Sequence, residues 1–111
     1  MKYDPIPFDP PATDMVGVFS AQLSPDGWIG SQYINTPYKR LKSEEVNECS
    51  RFINSFMAEC KTQSDFQKYV GKHGEEIDRV TSVIFYRGDG LDYVVSVSGY
   101  SITIKVHRKG K

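Results

Sequence analysis

Ser43-Glu44-Glu45-Val46-Asn47-Glu48-Cys49-Ser50-Arg51-Phe52-Ile53-Asn54-Ser55-Phe56-Met57-Ala58-Glu59-Cys60-Lys61 is the stretch on which the fold turns. Val46, Cys49, Ile53, Phe56, Met57 and Cys60 recur at three- and four-residue steps, with Phe52 beside them. That period predicts an amphipathic helix over 43–61. Ser43 suits the N-cap, and Glu44 and Glu45 place negative charge at the positive helix end. The helix also decides the chemistry of the two cysteines. Cys49 and Cys60 are separated by about 16 Å of helical rise, whereas a disulfide needs Cα atoms within roughly 7 Å. Two unpaired thiols therefore point to a reducing, cytoplasmic setting. The opening Met1-Lys2-Tyr3-Asp4-Pro5-Ile6-Pro7-Phe8 agrees, because Pro and Asp interrupt every apolar pair that a secretory leader would need.

Downstream, Thr62 or Ser64 can cap a second helix carrying Phe66, Tyr69 and Val70, with Gly71 or Gly74 to end it. After Ile77 the apolar period falls from 3.6 to 2. Val80 to Tyr86 is rich in β-branched and aromatic residues, Gly88-Asp89-Gly90 marks a hairpin, and Leu91, Tyr93, Val95 and Val97 alternate. The phase flips at Ser98-Gly99, so Ile102, Ile104 and Val106 belong to a further strand. Upstream, Met15, Gly17, Phe19, Ala21 and Leu23 share one face of a strand. Ser24-Pro25-Asp26-Gly27 turns it, and Trp28 to Ile34 returns, with Gly30 as a bulge signal.

The order ββααβββ predicts an α+β fold: a mostly antiparallel sheet of about five strands, with two helices on one face. Residues 15–111 form the single domain, and residues 1–14, holding four of the six prolines, form an extended arm. A hydrophobic content of 39% with 25% charged residues fits a globular chain. No apolar run approaches the ~20 residues that span a bilayer. Formal net charge is +0, so no overall field calls for nucleic acid or a membrane. The charge is nonetheless segregated, acidic in the helical part and basic over 80–111.

Catalytic constellations are sparse. His73 and His107, with Lys105 beside the latter, supply the residue types of a metal-independent ribonuclease, but nothing in the sequence brings them together. Cys49 and Cys60 lack the paired spacing of a metal site, Gly88-x-Gly90 is not a dinucleotide fingerprint, and no nucleophile elbow is present. No metal and no cofactor is expected. Arg87-Gly88-Asp89 spells an adhesion tripeptide, yet Gly-Asp-Gly is what a tight turn requires in any case.

Two binding readings remain. One is RNA or single-stranded DNA, held by Lys39, Arg40 and Lys42 with Lys105, Arg108 and Lys109, and stacked on Tyr93 or Tyr100. The other is a non-enzymatic protein-binding module, of the inhibitor, immunity or mobile-element regulator kind. Its contact would centre on the hairpin at Trp28 and Tyr33 and on the arm at Tyr3 and Phe8, because aromatic residues suit hot spots. The second is the expectation carried forward, with a protein partner and a homo-oligomer both compatible with it.

Overall fold

The computed structural model describes residues 5–6, 15–35 and 41–108. Strands β1 (Pro5–Ile6), β2 (Met15–Ser24) and β3 (Gly27–Asn35) precede helices α1 (Ser43–Glu59) and α2 (Gln63–His73). Strands β4 (Glu75–Glu76), β5 (Thr81–Arg87), β6 (Leu91–Ser98) and β7 (Ser101–Arg108) follow. The predicted α+β order holds. The sheet has seven strands instead of about five, because β1 and β4, two residues each, both pair with β5. Neither is long enough to leave a periodic signal. The main path runs β1-β5-β6-β7-β2-β3, with every pairing antiparallel.

Local chemistry sets most element ends. α1 starts at Ser43 as expected, but the N-cap is Lys42 instead of Ser43, and the Lys42 N–H donates to Glu45 Oε1 at 2.8 Å. Ser43 is thus already helical, and Glu45 does the capping from the third position. The helix stops at Glu59, short of Lys61, where the Cys60 N–H closes on the Phe56 carbonyl. Thr62 caps α2 by accepting from the Asp65 N–H, and Gly74 ends it.

Two bulges adjust the strands. In β2 the register slips between Met15 and Gly17, so Met15 pairs with His107 and Val16 enters the core at 1% exposure. The apolar set of β2 therefore contains Val16, not Met15. In β3, Gly30 and Ser31 together oppose Ala21, and Gly30 takes a φ of 63°, a conformation glycine adopts without strain.

Both helices cover the same sheet face. Phe52 of α1 stacks on Tyr93 of β6 with centroids 3.9 Å apart and planes 6° from parallel, and it meets Tyr86 of β5 edge-on at 5.0 Å. Tyr69 of α2 shares a hydrogen bond with the Tyr86 hydroxyl. Phe19, Leu23, Val95, Ile104 and Val106 complete this layer. Alternation sends Val18, Thr103, Lys105 and His107 to the opposite face.

Candidate interaction surfaces

Trp28 lies between the two helices. Its Nε1–H is shared between the Met57 and Cys60 carbonyls, at 3.2 and 3.0 Å, and so satisfies acceptors that the end of α1 leaves open. Its ring meets Phe66 edge-on at 5.7 Å. Trp28 thus works inside the fold, as expected of most aromatic residues in a small domain.

Tyr33 lies over Gly17, where a Cβ would run into the Tyr33 hydroxyl and ring, so only glycine admits the phenol. The hydroxyl is buried and has no hydrogen-bond partner among the described residues. Burial, followed by the nearby Cys49 and Glu45, pushes the phenol up to about 12. A buried, unsatisfied hydroxyl costs about 1–3 kcal/mol. Tyr33→Phe is therefore expected to stabilise the protein by about 1 kcal/mol in urea unfolding. A loss of stability instead would show that the hydroxyl is engaged.

The Tyr33 ring forms part of an open cleft of about 410 Å³ between α1 and β3. Phe19 and Leu41 also line it, and α1 contributes Val46, Ser50, Ile53 and Asn54. These helix positions follow three- and four-residue steps, so one flank of α1 overhangs the strand edge. Among the described residues no charged side chain lines the cleft.

The basic residues do not assemble one footprint among the described residues. Arg108 grips Glu45 through Nε at 2.9 Å and Nη2 at 3.0 Å, tying β7 to the start of α1. The guanidinium holds the Glu45 carboxyl below its usual range. Lys42 caps α1 on the helical side, whereas Lys105 is exposed on the opposite sheet face. Lys39, Arg40 and Lys109 lie outside the described residues, as do Tyr3 and Phe8. Of the tyrosines considered for base stacking, Tyr93 is fully buried under Phe52, and Tyr100 stands in the β6–β7 turn, 38% exposed.

The two histidines are on opposite sides of the sheet. His73 packs on the Tyr69 ring at 4.6 Å in the helical layer, while His107 follows Val106 and pairs in register with Asp92 on the other face. One scissile phosphate cannot reach both through the sheet. Among the described residues no group of three or more His, Cys, Asp or Glu could hold a metal ion. Cys49 and Cys60 are unpaired by any disulfide and buried, and desolvation pushes both thiols up to about 12.

One structural carboxylate escaped the sequence reading. Glu48, 5% exposed, accepts from the Gly90 N–H and from the Tyr93 hydroxyl, both at 2.7 Å. It clamps the β5–β6 turn to α1. Its position beside Cys49 and four residues before Phe52, on the apolar side of the helix, was the available signal.

The exposed apolar residues are not scattered. Among the described residues the large ones are Ile29, Val46, Ile77, Val80 and Tyr100. Register links four of them along one end of the sheet. Thr81 pairs with Ser98, Ser98 with Ser101, Ser101 with Gln22 and Gln22 with Ile29. Val80 precedes Thr81, Ile77 bonds to it through its N–H, and Tyr100 precedes Ser101. Four strand spacings separate the corners of this row, about 19 Å.

No protein-family model matches the chain, and no curated protein or solved structure matches it either.

Proposed function

We propose that this is a non-enzymatic protein-binding module whose contact surface is the sheet end bearing Ile29, Tyr100, Val80 and Ile77. The observation that supports the reading is their common location. Val80 is 71% exposed, Ile77 55% and Ile29 52%. Side chains of this kind gathered at one end mark an interaction site, whereas single exposed apolar residues need no explanation. The contact remains on the hairpin singled out from the sequence but moves by one residue. Trp28 faces the helices, and its neighbour Ile29 faces outward, as strand alternation requires.

The turns that present the surface are internally braced. Asp78 accepts from the Val80 and Thr81 N–H groups, and Ser24 bonds to the Gly27 carbonyl. A rigid platform loses little entropy on binding. The same reading places the protein in a reducing, cytoplasmic compartment, supported by two thiols kept unpaired in the core. No helix is long and apolar enough to cross a membrane among the described residues.

The test is site-specific photo-crosslinking at positions 80 and 100 in cells of the source. Both positions should capture the same protein, and a probe at Lys105, exposed on the sheet face opposite the helices, should not. Val80→Asp, at an exposed position, should leave the melting temperature within about 1 °C and abolish the crosslink at Tyr100. Unrelated products at the two positions, or recovery of nucleic acid in place of protein, would overturn the proposal.

A further inference from the structure

Val83, Phe85 and Asp92 are 3%, 1% and 7% exposed, although they belong to the sheet face turned away from the helices. Their strand neighbours Ile84, Tyr86 and Tyr93 sit in the core under the helices, so alternation fixes the assignment. Register gathers them into one patch: Phe85 pairs with Val94, Arg87 with Asp92, and Val94 with Lys105. Among the described residues no helix or strand lies over this patch, because both helices cover the other face and the strands all belong to the sheet. A bare sheet face leaves its side chains to solvent, so burial this complete requires a further layer.

Chain length decides what that layer is. Ile6 pairs with Phe85 at one border, and Met15 pairs with His107 in β2, four strand spacings or about 19 Å away. Residues 7–14 join them, and the steps from Ile6 to Met15 reach at most about 32 Å. A path over the helices adds a climb and a descent of about 10 Å each, for about 39 Å. Rounding the sheet end beyond the Gly88–Gly90 turn takes about 40 Å. Crossing the face opposite the helices needs a rise of about 5 Å at each border, half the spacing of packed sheets, and about 29 Å in all.

We infer that residues 7–14 cross this face in an extended conformation and are the layer that buries it. Their sequence, Pro7-Phe8-Asp9-Pro10-Pro11-Ala12-Thr13-Asp14, suits the task. A segment running across strands cannot join their ladder, and its prolines remove N–H groups that would otherwise lack acceptors. At polyproline II pitch it spans about 28 Å, close to what the route requires. Phe8, two residues beyond Ile6, supplies an apolar side chain for Phe85 and Val94. Asp9 and Asp14 bring negative charge to a face that holds Arg87, Lys105 and His107 around the Asp92 carboxylate. The crossing takes this face, a platform on which bases could stack, away from outside partners. It is separate from the sheet end bearing Val80, so the two proposals succeed or fail independently.

A nitroxide attached to the full chain at Ala12→Cys tests the inference by nuclear magnetic resonance, since Cys49 and Cys60 are buried and escape labelling. The amide signals of Val94 and Lys105 should be lost and should return when the nitroxide is reduced. Those of Ser50 and Lys68, on the helices, should persist throughout. In the unlabelled wild type, the Phe8 ring should show nuclear Overhauser contacts to Phe85 or to the Val94 methyl groups. Loss of the helix signals in place of those of Val94 and Lys105 overturns the inference. So does a label that bleaches neither set, or a Phe8 ring in contact with neither residue.

Discussion

Replacing Phe52 with alanine is expected to remove about 3–5 kcal/mol of stability, out of a total that for domains of this size is roughly 5–15 kcal/mol. Phe52 is 1% exposed and touches three rings at once: Tyr93 face to face, Tyr86 edge-on and Phe56 at a tilt, 6.4 Å away. Deletion removes the transfer energy of the ring and leaves a cavity. The surrounding aromatic rings cannot collapse into it, because Tyr86 is tied to Tyr69 and Tyr93 to Glu48. Urea unfolding checks the figure through a lower midpoint at an unchanged slope. A loss below about 1.5 kcal/mol would show that the stack carries little of the core.

Glu48→Ala should cost about 2–4 kcal/mol, because two buried donors, the Gly90 N–H and the Tyr93 hydroxyl, lose their acceptor together. The loss should be local as well as global. Native-state hydrogen exchange at Gly90 is expected to quicken more than exchange in the middle of β6, since the carboxylate is what holds the turn against α1. Glu48→Gln keeps one carbonyl oxygen and should fall between alanine and the wild type. Equal exchange at Gly90 in all three proteins would remove Glu48 from this role.

These two positions also show what local sequence can reveal. Phe52 belongs to a helix whose three- and four-residue apolar steps are visible without coordinates, and the helix is present where that period places it. The hairpins at Ser24–Gly27, Gly88–Gly90 and Ser98–Ser101 were legible for the same reason, since turn chemistry is confined to a few neighbouring residues. The pairing of β2 with β7 is different. It joins residues 79 to 92 positions apart, and no local pattern encodes it. The bulge that exchanges Met15 for Val16 depends on that pairing and was hidden with it.

The candidate surfaces were less legible than the fold. Trp28 stood out by residue type, but its hydrogen bonds to the end of α1 come from a helix about thirty residues away. Arg108 read as a cation available to a phosphate until Glu45 proved to be opposite it. Exposure at Ile77, Val80 and Tyr100 depends on which strand ends converge, and this is a property of topology.

The contrast between the borders of the sheet also limits how far self-association can proceed. Among the described strands β3 is the long border without charge or proline, whereas Pro5, Glu75 and Glu76 blunt the border at β5. Stacking of copies into a ladder needs two open borders, and the blunted one opposes it. A chain with two inviting borders would polymerise end on end into a fibre.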